Sequence, residues 1–159
     1  MELNTLQLAK HPFFEGLSER HLELLLEDAM EVILKPGELA FSEGSPANRF
    51  YLIQHGDIAI ESRNQQYGSE GAPVLIDKLS DGDVLGWSWM FPPFSWHFDA
   101  RPLTTVRAIF FYGTRLRERC EKDPTLGYAL MKRAAEIAIH RLQATRKRLM
   151  EVTTTHVPG

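Results

Sequence analysis

Residues 86–99 carry the densest chemistry in the chain: Gly86-Trp87-Ser88-Trp89-Met90-Phe91-Pro92-Pro93-Phe94-Ser95-Trp96-His97-Phe98-Asp99. All three tryptophans of the sequence fall here. Trp87, Trp89 and Trp96 are the residue type that stacks on a flat ring, with Ser88 and His97 as polar anchors, as a nucleotide or dinucleotide pocket requires. Gly86-Trp87-Ser88-Trp89-Met90 nearly spells a G-x-S-x-G nucleophile elbow, but Met90 replaces the last glycine and the alternating strand–helix context is absent. His97-Phe98-Asp99 opens a two-histidine, one-carboxylate iron site, whose third ligand would have to be His140 on a helix or His156 in the tail. His11, His21 and His55 lack metal-ligand spacing, and Cys120 has no activating neighbour pattern. The expectation is a non-enzyme with no catalytic residue, no metal and no cofactor.

The whole chain bounds these options. It has 159 residues, 43% hydrophobic and 25% charged, which suits one soluble domain with a full core. Lys+Arg is 18 and Asp+Glu is 21, a formal charge of −3, so nothing in the overall balance calls for nucleic acid. One cysteine cannot form an internal disulfide, and no leader-like stretch opens the sequence, so a cytoplasmic protein is expected. The longest apolar run, 108–112, is far below the roughly 20 residues that span a bilayer, and no membrane association is expected.

The elements that must position residues 86–99 can be read from periodicity. Ser18 caps a helix with Leu22, Leu25 and Leu26 on one stripe, and Phe13 and Phe14 before it are core plugs. From residue 31 onward short apolar runs alternate with turns: 31–35, 39–41, 50–53, 58–60, 74–79, 84–85 and 98–112, punctuated by Pro36-Gly37, Glu43-Gly44-Ser45-Pro46, His55-Gly56-Asp57 and Asp81-Gly82-Asp83. Residues 63–73 are polar, as a hairpin tip is. This spacing predicts a jelly-roll-like β architecture. Helix returns at 114–120, and a long one runs from Pro124 to about Met150. That helix has two stripes: Leu126, Leu130 and Ile137, and then Met131, Ala134, Ala138, Leu142, Thr145 and Leu149. Two apolar faces predict packing on the roll and on a second body, most simply a homodimer partner, through Leu130, Met131, Ala134, Ala138 and Leu142. Arg141, Arg146, Lys147 and Arg148 read as a solvated face complementing the helix dipole.

The order helix, short strands, long C-terminal helix is specific, and so are two motifs. Residues 41–60, with Glu43-Gly44, Tyr51, Ile53 and Gly56, resemble the "E-G-x-x-x-x-x-x-Y-h-I-x-x-G-x-h" signature, and Gly82-Asp83-Val84-Leu85-Gly86 resembles "G-D-h-h-G". The chain is identified as similar to the cyclic-nucleotide-binding sensor domain of the catabolite-activator type. The resemblance implies a mainly β fold with flanking α-helices: a double-stranded β-helix, jelly-roll-like, plus a long C-terminal helix. It implies the divisions 1–30 (N-terminal helical segment), 31–113 (β-roll with a phosphate-binding-cassette-like segment at 86–97), 114–150 (C-terminal helices) and 151–159 (tail). The family's DNA-reading domain would follow the long helix, and nine residues after Met150 cannot build one. No DNA binding by the chain itself is expected.

In that family a glutamate after the last glycine of the second motif holds the ribose 2′-hydroxyl. Nine positions later an arginine neutralises the cyclic phosphate. Here those positions are Trp87 and Trp96, and His97 stands where a small or hydroxyl residue follows. Pro92 and Pro93 shorten any cassette helix. The sequence therefore predicts a stand-alone regulatory or interaction module with a degenerate cyclic-nucleotide site, its candidate residues being Gly86, Trp87, Ser88, Trp89, Trp96 and His97. Three readings of the tryptophans stay open: they fill the pocket, they stack on a small nucleotide or dinucleotide, or they dock a partner protein. The last two allow a sensor or an accessory subunit of a redox enzyme complex.

Overall fold

The computed structural model describes residues 3–63, 73–86 and 93–155, with side chains to residue 153. Trp87, Ser88 and Trp89 lie outside the described residues, as do His156 and the end of the tail.

Three short helical pieces come first: α1 (Thr5–Lys10), a 3-10 turn (Pro12–Phe14) and α2 (Glu19–Leu26). Ser18 accepts the His21 N–H and starts α2 as its sequence predicts. The sequence reading missed α1, where Asn4 and Gln7 cap each other's backbone N–H groups. Seven strands follow among the described residues: β1 (Met30–Leu34), β2 (Arg49–His55), β3 (Ile58–Ser62), β4 (Val74–Leu79), β5 (Val84–Leu85), β6 (Asp99–Pro102) and β7 (Val106–Tyr112). They form two antiparallel sheets, ordered β1-β7-β2-β5 and β4-β3-β6. Residues 39–41 are not the strand the apolar run suggested. Phe41 makes one isolated bridge to Ala100, because the segment curves into the turn at 43–45.

β2 and β7 explain the layering. Their register pairs Phe50 with Phe111, Tyr51 with Phe110, Leu52 with Ile109 and Ile53 with Ala108. Successive side chains of a strand point to opposite faces. Phe50, Leu52, Ile109 and Phe111 therefore pack outward with Phe14, Leu25, Leu116, Leu126 and Leu130. Tyr51, Ile53, Ala108 and Phe110 point inward, where Ile58, Ile60, Leu79, Leu85, Trp96 and Ala100 complete the roll interior. Both faces are buried, so both strands read as continuous apolar runs.

α3 (Gly113–Lys122) and α4 (Pro124–Thr155) close the chain. Asp123 caps α4 through the Leu126 N–H, and Gly127 lets α3 approach: a Cβ there would stand 3.0 Å from the Cys120 carbonyl oxygen. α4 continues five residues past the predicted end at Met150, so 151–155 are helix rather than tail. Three arginines tie it down, one to the N-terminal segment and two to the roll. Arg133 Nη2 donates to the Glu15 carbonyl at 2.6 Å, Arg141 Nη2 to that of Val84 at 3.1 Å, and Arg148 Nη2 to that of Ile76 at 3.5 Å. The expected wholly solvated basic face is thus corrected for Arg141 and Arg148: they sit on the side of the helix that faces the roll. No helix among the described residues is long and apolar enough to cross a membrane.

Candidate functional site

The segment leaving the cassette, residues 93–98, is sewn to the loop between β1 and β2. Gly44 N–H donates to the Trp96 carbonyl (2.8 Å), Trp96 N–H to that of Ser45 (3.0 Å) and Ala47 N–H to that of Phe94 (2.7 Å). These bonds aim Trp96 into the roll. Its side chain is 2% exposed and stacks on Phe41, ring centroids 3.7 Å apart and planes 8° from parallel. Its edge lies over Gly86, at φ +100, where a Cβ would stand 2.9 Å from the ring. Trp96 is therefore a core residue. One indole face stacks on Phe41 and an edge meets Gly86, which is the pocket-filling arrangement among the three readings of the tryptophans.

Two other residues predicted for the site, Gly86 and His97, fall among the described ones. Gly86 is buried beside Trp96, but His97 is exposed on a bend. Asp99 is 2% exposed, and His97 and Asp99 do not form one ligand face. Asp99 Oδ1 accepts the Glu43 N–H at 2.7 Å, and Oδ2 lies 2.8 Å from Arg63 Nε in an ion pair whose angles fall short of a hydrogen bond. That pins the 41–46 loop to β6. Arg101 pairs with Glu61 at 2.7 Å along β3 and β6. Among the described residues no three histidine, cysteine or acidic side chains are placed to hold a metal. Cys120 is half-buried, and burial with Asp123 and Glu121 nearby pushes its thiol up to about 11, which keeps it protonated and unreactive at neutral pH.

Two contacts at the cassette's ends were not legible in the sequence. Phe94 adopts φ +54, a left-handed conformation rare for an aromatic residue. Its ring carries the Arg117 guanidinium of α3 at 4.3 Å. At the entry side, Arg141 of α4 holds the Val84 carbonyl. A cavity of about 330 Å³ borders Trp96, lined by Phe41, Ser42, Ser45, Asn48 and Arg49, and Arg49 turns Nη1 to the Ala40 carbonyl at 3.0 Å.

The roll, the cassette position and α3 match a known family model, the cyclic nucleotide-binding domain, over residues 31–123. The chain belongs to the cyclic nucleotide-binding domain family. It is 26% identical over 152 residues to a CRP-like cAMP-activated global transcriptional regulator of Mycobacterium tuberculosis, covering 96% of this chain. The chain spans 64% of that relative's length, which corresponds to its sensor part. Among solved structures, a Geobacter metallireducens protein described as cyclic nucleotide-binding superposes with a TM-score of 0.77 at 24% identity, covering 88% of this chain and 98% of that one. The regulatory subunit of a cAMP-independent protein kinase A from Trypanosoma brucei has a TM-score of 0.66 at 16% identity, covering 91% of this chain and 46% of that one. The structural likenesses show the roll, and the family is one of regulatory domains.

Proposed function

We propose that this chain is a regulatory module of the cyclic nucleotide-binding type whose own cyclic-nucleotide site is degenerate, and that it works through protein contacts made by α4. One observation carries the reading: the position of the family's phosphate-binding arginine holds Trp96, and its indole is packed into the roll against Phe41 and Gly86. A charge-assisted phosphate contact contributes about 1.5–3 kcal/mol, and its loss alone lowers affinity by one to two orders of magnitude. Trp87 in place of the ribose-binding glutamate removes a second contact. The Trypanosoma brucei neighbour, which shares the roll, is described as the regulatory subunit of a cAMP-independent protein kinase A.

The second half of the proposal rests on α4. Met131, Ala135, Ala138, Leu142 and Thr145 recur at alternating steps of 4 and 3, the spacing of a coiled-coil seam, and all are exposed. Leu142 is 69% exposed. A second copy laid on this seam gives a homodimer. Leu130, counted with this face from the sequence, is buried against the chain's own roll and belongs to the other stripe.

The test is calorimetric titration of the purified protein with cyclic AMP, cyclic GMP, ATP and the nicotinamide dinucleotides, with tryptophan fluorescence as a second readout. No saturable binding of a cyclic nucleotide is expected. Saturable binding of cyclic AMP or cyclic GMP would overturn the degenerate-site reading. A response to a dinucleotide alone would move the ligand to a ring formed without Trp96.

A further inference from the structure

Arg117 of α3 stands between two places. Its guanidinium lies 4.3 Å from the centroid of the Phe94 ring, at the exit of the cassette. Arg117 also lines a cavity of about 430 Å³ between α3 and α4, together with Cys120 and Glu121 from α3 and Tyr128 and Met131 from α4. Phe94 is half-buried and is not part of that cavity's wall.

The Phe94 end is strained. A φ of +54 is a conformation that L side chains rarely adopt, and it persists only where the surroundings hold it. Two contacts hold it here. The Ala47 N–H donates to the Phe94 carbonyl at 2.7 Å, and Arg117 caps the ring. Two residues on, the Trp96 N–H donates to the Ser45 carbonyl at 3.0 Å. A hold on Phe94 is therefore also a hold on the segment that aims Trp96 into the roll.

The cavity end is continuous with the seam of α4. Met131 is the first residue of that seam and a wall of the cavity. Tyr128, three residues before it and so on the same helix face, is 71% exposed. A helix laid along the seam runs on over the mouth of the cavity and takes water from Arg117. A cation over an aromatic ring is held more tightly once it is desolvated.

We propose that Arg117 couples the α4 homodimer to the exit of the cassette. Docking of the second copy dries the guanidinium and tightens its hold on Phe94. The held Phe94 favours the dimer in return, because a coupling between two equilibria is reciprocal. The proposal rests on the α4 homodimer of the preceding reading and is independent of whether a nucleotide binds.

The test combines sedimentation over a range of concentrations with hydrogen exchange, on the parent, Phe94→Leu, Phe94→Tyr and Arg117→Met. Phe94→Leu removes the ring from a residue outside the cavity. It is expected to raise the dimer dissociation constant about tenfold or more, since both copies lose the contact. Phe94→Tyr keeps a ring and should dimerise as the parent does. Phe94→Leu added to Arg117→Met should weaken the dimer no further. The amides of Ala47 and Trp96 lie off the seam, and in the parent they should exchange more slowly above the dimer midpoint than below it. In Arg117→Met that difference should vanish. Thermal melts of the diluted variants separate lost coupling from lost folding. The proposal is overturned if Phe94→Leu dimerises as tightly as the parent, if its effect adds in full to that of Arg117→Met, or if the two amides exchange alike above and below the midpoint. A parent that stays monomeric at every concentration overturns the homodimer reading and this one with it. A dimeric parent with an unaltered Phe94→Leu overturns this one alone.

Discussion

The indole of Trp96 lies so close over Gly86 that a Cβ there would stand 2.9 Å from Cη2 and 2.7 Å from the Arg49 carbonyl oxygen. Gly86 also has φ +100. The last glycine of the second motif is thus held by two independent demands: a backbone conformation that L side chains avoid, and a tryptophan packed on its α-carbon. Gly37, at φ +86 with nothing within 4 Å, meets only the first. Gly37→Ala should cost about 1–2 kcal/mol. Gly86→Ala should cost that and a further 1–3 kcal/mol or so of overpacking. Urea denaturation of the two variants compares them directly, and equal losses would mean that Trp96 is not packed there.

Trp96→Ala removes the side chain that fills the roll next to Phe41. A buried tryptophan truncated to alanine costs about 3–5 kcal/mol. The void left is apolar and ring-shaped, bounded by Phe41 on one face and Gly86 at the edge. Such cavities stay dry and take up small aromatic molecules. Free indole should therefore raise the melting temperature of Trp96→Ala in proportion to the logarithm of its concentration and leave the parent unchanged. No rescue would indicate that the roll collapses around the missing ring.

Much of this organisation was open to reading in the residues, and the failures have physical causes. The doubly apolar runs of β2 and β7 announce strands buried on both faces, and Ser18 and the two stripes of α4 announce their helices. The family motifs announced the family whose model matches residues 31–123. What no local pattern contains is a partner far away in sequence. Phe41 looked like part of a strand because its neighbours are apolar, yet its role is to be the ring beneath Trp96. Arg117 on Phe94 and Arg63 on Asp99 are the same kind of contact, set by how loops close rather than by spacing. Leu130 was read both on the stripe with Leu126 and Ile137 and in the dimer set, because a single residue between two stripes can join either one. The structure assigns it by packing.

His11 gives a pH dependence. It is buried, its Nε2 donates to the Ile53 carbonyl at 3.0 Å, and its Nδ1 accepts the Phe13 N–H at 3.2 Å, an arrangement that requires the neutral ring. Burial lowers its pKa below the ordinary 6.5, opposed in part by the Ile53 carbonyl and by Asp83. In the unfolded chain the ring takes up a proton near 6.5 and in the folded chain only at lower pH. The unfolded state therefore binds more protons in that window. Stability from this site is complete above about 6.5 and is lost as pH falls from there toward the folded value. Urea midpoints measured at falling pH should decline through this range in the parent, and the decline should be smaller in His11→Gln. A parent curve flat from neutral pH to 5 would contradict the buried neutral ring.

Asp28 is the other buried anchor, and it joins the turn after α2 to α3. Its side chain is almost wholly buried and bonds Arg119, which also holds Glu27 at 2.7 Å, and Arg115 at 3.2 Å. Burial pulls its carboxyl up, but the two guanidiniums overcome that and hold it below the ordinary carboxylate range. Removing one partner of a buried pair costs more than the pair contributes, because a charge is left without its counterion. Arg119→Met should therefore destabilise by about 1–3 kcal/mol, with Arg115 limiting the loss. Asp28→Asn in the Arg119→Met background should recover part of it, since the neutral amide removes the stranded charge. A double-mutant cycle by urea denaturation measures the coupling. If the two losses simply add, Asp28 and Arg119 act independently, and the turn after α2 is held to α3 by its apolar contacts alone.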